Sequence, residues 1–194
     1  MKRILCLETE WGINSAKRLN DNASVRPMFE FIESLGVSVT HKTVATIQEL
    51  RYYLSQMPKS MYSDYDIIYL AFHGEKGQIQ LYEAKEKNTV VRMVSLEELA
   101  EMCSLGWLTD KVVMFGTCRT LAAAESRVRD FMQKSGAALV AGYGKKVDFT
   151  RSSILDIGFI TEVISPKPKY KSLRERMSIR YSGLMDELGM IIYE

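Results

Sequence analysis

A histidine and a cysteine each follow an apolar run in this sequence, and their side chains are those of a covalent acyl-transfer site. His73 follows residues 65–72 and precedes Gly74, and Cys118 follows residues 111–117. A thiolate attacks a carbonyl once a neighbouring base has taken its proton, and an imidazole can then pass a proton to the leaving amine. The backbone N–H groups of Gly74 and Cys118 are suited to bind the oxyanion. The sequence therefore predicts a catalytic dyad of His73 and Cys118.

The two apolar runs have the features of buried parallel strands. Both are short, rich in aromatic and β-branched residues, and end at small residues. If the two strands are neighbours, the imidazole and the thiol emerge at the same carboxyl edge, where open α/β sheets bind their ligands. The alanine-rich stretch 120–134 predicts a helix directly after Cys118, and the N-terminus of that helix is expected to stabilise a thiolate.

Strands and helices alternate along the rest of the chain. Strands are predicted over residues 2–9, 37–44, 65–72, 111–117, 137–144 and 190–193, with a hairpin excursion formed by 78–82 and 89–94. Helices are predicted over residues 25–35, 46–57, 95–103, 120–134, 153–164 and 172–188, and a loop over 13–24. This alternation predicts one α/β domain over residues 1–194, a three-layer sandwich with a mostly parallel central sheet.

Composition narrows the possible partners and compartment. The 26 basic and 24 acidic residues give a net charge of +2, so neither nucleic acid nor a membrane surface is an expected partner. The apolar run at the N-terminus is too short for a secretory or membrane segment. Three cysteines without Cys-x-x-Cys spacing favour a reducing cytoplasm over a disulfide framework. No pattern in the sequence predicts a metal site or a cofactor.

The two motifs, taken in order, resemble the caspase-like (clan CD) cysteine peptidases. An apolar strand leads to His73-Gly74, and a second leads to Cys118-Arg119 at a separation near the roughly 50 residues of caspases. The strand Gly136 to Gly142 also looks like the one that follows the cysteine in bacterial CHAT proteins. The resemblance implies a caspase-haemoglobinase-like fold and a peptide or protein substrate. Gly116-Thr117 stands where caspases have Gln-Ala, so their substrate preference does not transfer.

The resemblance also implies where a substrate pocket would lie. In the family, the pocket for the residue before the scissile bond is lined from the ends of the first, fourth and fifth strands. In this sequence those ends offer Glu8, Glu10 and Asp148. Three carboxylates predict that cleavage follows a basic residue.

Two other functions fit the same sequence. The first is a catalytically silent caspase-like scaffold whose charged helix over 172–188 binds a protein partner. The second is a flavodoxin-like binder of a small molecule, in which the strand ends hold a phosphate and Cys118 has no chemical role. For the peptidase itself, an activating protein partner is a further expectation.

Overall fold

A mostly parallel six-stranded sheet forms the centre of the computed structural model, which describes residues 3–12, 23–85, 88–165 and 172–194. The strands in chain order are β1 (Arg3–Glu8), β2 (Ser38–Thr43), β3 (Tyr65–Ala71), β4 (His73–Glu75), β5 (Gln78–Lys85), β6 (Asn88–Ser95), β7 (Val112–Phe115), β8 (Leu139–Tyr143) and β9 (Met190–Tyr193). The order across the central sheet is β2-β1-β3-β7-β8-β9. Only β9 runs antiparallel to its neighbour among these strands.

Helices cover both faces of this sheet. They are α1 (Arg26–Ser34), α2 (Ile47–Gln56), α3 (Leu96–Met102), α4 (Glu125–Ser135), α5 (Phe149–Ile164) and α6 (Leu173–Leu188). Successive side chains of a strand point to opposite faces, so Leu5 and Leu7 of β1 pack in the core with α2, α3 and α4. Ile4 and Cys6 pack in the other core, with α1, α5 and α6. The predicted three-layer α/β sandwich is thus confirmed.

Local sequence signals set several helix boundaries. Thr46 and Glu49 form a reciprocal capping box at the start of α2, with Glu49 accepting a hydrogen bond of 2.9 Å from the Thr46 backbone N–H. Ser95 accepts a hydrogen bond of 3.1 Å from the Glu98 N–H and begins α3. Pro27 lies in the first turn of α1, and Gly36 follows that helix at φ +84°, a conformation that favours glycine.

The predicted hairpin excursion is a separate antiparallel sheet with the order β4-β5-β6. It begins almost directly after β3, with the buried Phe72 between them, so His73 is its first residue. In this sheet His73 pairs with Gln80 and Gly74 pairs with Ile79. The histidine is therefore held by regular pairing at the point where the chain leaves the central sheet.

Two predicted helix boundaries differ from the structure. Residues 120–122 form a short 3-10 turn, and α4 begins only at Glu125. Helix α5 begins at Phe149 rather than near 153, because Asp148 caps it by accepting a hydrogen bond of 3.0 Å from the Arg151 N–H. Of the loop predicted over 13–24, residues 13–22 lie outside the described residues.

An ion pair joins the two longest helices on one face of the sheet. Arg176 of α6 donates to a Glu162 carboxylate oxygen at 3.0 Å and to the Glu162 carbonyl oxygen at 2.9 Å. Arg180 also pairs with this carboxylate. Glu162 and Arg176 are only 3% and 5% exposed, so this is a buried cluster of charges that lies apart from the sheet edge. Among the described residues no helix combines the length and apolar character that a membrane crossing requires.

Candidate active site

The register of two adjacent strands brings His73 and Cys118 to the same edge of the sheet. Strands β3 and β7 are parallel neighbours, and Leu70 pairs with Phe115. His73 and Cys118 each lie three residues beyond this pair. The two side chains therefore belong to equivalent positions past the carboxyl ends of neighbouring strands, which is the placement that the sequence predicts.

Gly74 is in direct contact with the main chain of the cysteine. A Cβ atom added at Gly74 would lie 2.3 Å from the Cys118 carbonyl oxygen, 2.6 Å from Thr120 Oγ1 and 2.9 Å from Thr117 Cβ. These distances are shorter than any van der Waals contact, so no side chain fits at this position. The segment that carries His73 and the segment that carries Cys118 are therefore packed backbone against backbone.

Hydrogen bonds fix the segment after β7 against the small antiparallel sheet. Thr117 Oγ1 donates to Thr120 Oγ1 at 2.6 Å, and Thr120 Oγ1 in turn donates to the Gln78 carbonyl oxygen at 3.0 Å. Gly77 N–H donates to the Thr120 carbonyl oxygen at 3.1 Å. Arg119 has the left-handed φ of 57° that a sharp turn directly after the cysteine requires. The nucleophile candidate thus lies in a tight, internally bonded turn.

The imidazole of His73 has one nitrogen in a defined role. Its Nε2 lies 2.9 Å from the backbone carbonyl oxygen of Trp11. A carbonyl oxygen only accepts hydrogen bonds, so Nε2 carries the proton and Nδ1 of the neutral ring has the free lone pair. The Trp11 ring also packs edge-on against the imidazole, with ring centroids 5.0 Å apart. His73 is therefore oriented with Nδ1 as its basic atom.

The sulfur of Cys118 accepts a hydrogen bond from the loop that precedes α5. The Val147 N–H donates to Sγ at 3.5 Å, a contact that would strengthen on formation of a thiolate. The other two cysteines are in different surroundings. Burial raises the pKa of Cys103 to about 12, and burial together with the nearby Glu8 charge raises the pKa of Cys6 well above its usual range. Only Cys118 among the three is partly exposed.

The expected stabilisation of a thiolate by a helix N-terminus is wrong. Helix α4 begins at Glu125, and the turn over 119–122 separates it from Cys118. The helix dipole acts only over the first turn of a helix, so it does not reach the sulfur from there. The amide of Val147 supplies the positive end of a dipole in its place.

Glu8, predicted to bind substrate, is buried and fully engaged. Its carboxylate accepts hydrogen bonds from Trp11 Nε1 at 2.5 Å, Ser24 Oγ at 2.7 Å and Val25 N–H at 2.7 Å, and it contacts His41 Nε2 at 2.5 Å. Burial works to raise the pKa of Glu8, but these four hydrogen bonds outweigh it and lower the pKa below the usual range. The structure thus places Glu8 as a buried carboxylate that holds other residues and has no open side toward a substrate.

The other two predicted pocket residues have open surroundings. Glu10 is partly exposed beyond the end of β1. Asp148 is exposed, directly follows the residue whose amide contacts Cys118, and uses only Oδ1 to cap α5. The substrate-binding roles of Glu10 and Asp148 stay predictions.

A buried polar cluster of Asp156, Tyr69 and Tyr143 packs against the end of β7. Asp156 of α5 accepts hydrogen bonds from Tyr69 at 2.6 Å and from Tyr143 at 2.5 Å. The Tyr69 hydroxyl also lies 2.3 Å from the position of a Cβ at Gly116, so this glycine lets the chain pass closely over the tyrosine on its way to Cys118. Burial raises the pKa of Asp156 to about 7, and the two tyrosine hydrogen bonds lower it in part.

Comparison with known proteins places the chain in a family and supports its fold. A family model described as a family of unknown function, DUF6642, matches residues 1–194. The chain belongs to the DUF6642 family. A comparison with curated proteins finds no match.

Solved structures show what this DUF6642 protein is similar to in fold. One is a secreted C11 cysteine protease from Bacteroides thetaiotaomicron, solved in complex with an irreversible peptide inhibitor, at a TM-score of 0.59 and 10% identity. The match covers 96% of this chain and 59% of the protease, so the DUF6642 chain spans about three-fifths of that protein's length. Raptor from Chaetomium thermophilum matches at a TM-score of 0.48 and 12% identity, over 95% of this chain and 21% of Raptor.

Two residues that contact the proposed dyad in this DUF6642 protein, Trp11 and Val147, were not predicted from the sequence. Both act through backbone atoms, the Trp11 carbonyl oxygen on His73 and the Val147 amide on Cys118. Backbone groups leave no residue-type signal, so only the fold shows them. Among the described residues no group of three or more metal-binding side chains is present.

Proposed function

We propose that this DUF6642 protein is a caspase-like cysteine endopeptidase with Cys118 as nucleophile and His73 as general acid and base. The observation that carries the proposal is the close packing of Gly74 on the Cys118 main chain, which supports a shared site for the two residues at the ends of β3 and β7. The orientation of His73 by the Trp11 carbonyl supports it, because Nδ1 is then available for proton transfer. The fold shared with a C11 cysteine protease agrees with this chemistry.

In the proposed first step, His73 Nδ1 takes the proton of the Cys118 thiol and Sγ attacks the carbonyl carbon of the scissile peptide bond. The carbonyl π electrons move to oxygen, and the Gly74 and Cys118 amides bind the resulting oxyanion. When the intermediate collapses, the C–N bond breaks and His73 gives its proton to the leaving amine. Water then attacks the thioester with His73 as base, which releases the acid and restores the thiol.

The proposed specificity is for a basic residue before the scissile bond. Asp148 supports this choice, since it is exposed and adjacent in sequence to Val147, whose amide contacts the nucleophile. A Lys or Arg side chain extending from an acyl group on Cys118 would meet this carboxylate. Glu10 is a second candidate at the same sheet edge.

The proposal also covers the cellular compartment of the protein and its relationship to the CHAT proteins. We infer a cytoplasmic protein from the free thiols of Cys6, Cys103 and Cys118. The strand Gly136 to Gly142 supports a closer likeness to CHAT proteins, and an activating protein partner is proposed with it.

The test is hydrolysis of a fluorogenic peptide panel that varies only the residue before the scissile bond. We expect cleavage after Lys and Arg, loss of activity in Cys118→Ala, and a preference reduced by about tenfold or more in Asp148→Asn, in line with loss of a charged contact. Lys134→Gln, on the far end of α4, is the matched surface control and should leave the rates unchanged.

Retained activity in Cys118→Ala would refute the mechanism. Cleavage confined to Asp substrates would refute the specificity and leave the mechanism in place. A Cys118 that resists iodoacetamide and peptidyl electrophiles at neutral pH would instead favour the silent scaffold.

A further inference from the structure

A buried carboxylate outside the proposed dyad holds together the segments around it. Glu8 Oε1 accepts hydrogen bonds from the Trp11 indole at 2.5 Å and from the Val25 N–H at 2.7 Å. Glu8 Oε2 accepts from Ser24 Oγ at 2.7 Å and contacts His41 Nε2 at 2.5 Å. The carboxylate therefore links the chain directly after β1 to the start of α1 and to β2.

Glu8 is a fixed point for these contacts, because it belongs to the central sheet. It pairs with Thr43 of β2 and with Ala71 of β3, and its carbonyl oxygen accepts a hydrogen bond of 2.7 Å from the Val44 N–H. Its side chain is only 5% exposed, so water does not compete for the carboxylate. A group hydrogen-bonded to Glu8 is thus held relative to the strands that carry the site.

Trp11 connects this fixed point to the imidazole. Its indole N–H is bound to Glu8, its backbone carbonyl oxygen accepts the hydrogen bond of 2.9 Å from His73 Nε2, and its ring packs edge-on against the imidazole at 80°. Without the Glu8 contact, Trp11 would lose its side-chain link to the central sheet, and the adjacent Gly12 carbonyl oxygen would keep a longer hydrogen bond of 3.4 Å from the Tyr82 hydroxyl.

We propose that Glu8 is a positioning residue for His73, acting through Trp11, and that it fixes the tautomer and ring orientation that the chemistry needs. This inference rests on the proposed function and assigns a further part of the same site. His41 completes the anchor by holding Glu8 Oε2 from β2.

Three variants separate positioning from general stability. Trp11→Phe removes the indole N–H but keeps an aromatic ring and the backbone carbonyl. Glu8→Ala removes the anchor, and Glu8→Gln keeps an acceptor oxygen for Trp11 and Val25 while its amide can donate to Ser24 Oγ. Glu194→Ala is the matched control, because it removes a carboxylate that accepts hydrogen bonds of 2.8 Å and 3.4 Å from the Leu173 and Arg174 N–H groups at the start of α6, beside the amino end of β8.

Peptide hydrolysis well below the unfolding temperature supplies the first measurement. We expect kcat to fall by about 10-fold to 100-fold in Trp11→Phe and Glu8→Ala, with KM within about twofold of wild type, because a misplaced base affects the chemical step. Glu8→Gln should restore most of kcat. Glu194→Ala should lower the unfolding temperature and leave kcat unchanged.

The ¹⁵N chemical shifts of the imidazoles supply a second measurement that needs no substrate. The chain has only two histidines, so the signals that disappear in His73→Gln are those of His73. We expect His73 to be in the Nε2–H tautomer in wild type and to become a tautomer mixture in Trp11→Phe and Glu8→Ala. Unchanged kcat together with an unchanged tautomer would overturn the inference. If wild type itself does not cleave peptides, the proposed function fails and the tautomer alone decides the role of Glu8.

Discussion

Gly74→Ala is the substitution whose effects on unfolding free energy and on reaction rate follow most directly from the structure. The added methyl would lie 2.3 Å from the Cys118 carbonyl oxygen and 2.6 Å from Thr120 Oγ1. A normal contact requires the two segments to separate by about 1 Å, and neither is the end of a flexible side chain. Overpacking of this kind costs about 1–3 kcal/mol of unfolding free energy. A displacement of about 1 Å between catalytic groups lowers the rate by about 100-fold.

Two assays measure the two consequences. Urea unfolding gives the change in unfolding free energy, and the rate of Cys118 modification by a peptidyl electrophile gives the change in site geometry. Gly183→Ala is the control, because a methyl at this position of α6 meets no atom within 4 Å. That substitution should stabilise the protein by up to about 1 kcal/mol and leave the modification rate unchanged. A Gly74→Ala protein with wild-type stability and rate would refute the packing argument.

Two further predictions concern buried charges. The folded-state pKa of Asp156 is raised from 3.8 to about 7, so the native state binds this proton more tightly, and its stability falls as pH rises between about 4 and 7. The fall is on the order of 4 kcal/mol over the full window and about 2 kcal/mol between pH 5 and pH 7. Urea unfolding at these two pH values should show that Asp156→Asn removes it, and the same fall in wild type and variant would contradict the prediction. Arg176→Ala should lower the unfolding free energy by about 3 kcal/mol, because the buried Glu162 carboxylate loses its buried partner and keeps only the more exposed Arg180 of its two arginine partners. Arg26→Ala, which breaks an exposed pair with Glu30, should cost under about 0.5 kcal/mol, and equal losses would refute the argument.

The placement of His73 and Cys118 was predictable because strand patterns carry strong signals. Apolar β-branched runs indicated β3 and β7, and parallel neighbours necessarily share a carboxyl edge. Capping boxes and terminal glycines similarly gave the bounds of α1, α2 and α3 close to those observed.

The turn after Cys118 and the burial of Glu8 were not predictable, because both depend on contacts between segments that are distant in the sequence. The alanine-rich stretch after Cys118 has high helix propensity, but the turn at Arg119 and the Thr120 hydrogen bonds to the hairpin prevent a helix there. Glu8 has the residue type of a substrate-binding carboxylate. Its burial follows from Ser24 and His41, which reach it from elsewhere in the chain.

In the proposed mechanism, folding joins one base, His73, to one reactive thiol, Cys118. Mass-spectrometric mapping of a peptidyl acyloxymethyl ketone on the three cysteines of the native protein, in wild type and in His73→Ala, tests this pairing. We expect modification at Cys118 alone, slowed by about 100-fold or more in His73→Ala. Modification spread over Cys6, Cys103 and Cys118, or equally fast at Cys118 without the imidazole, would contradict it.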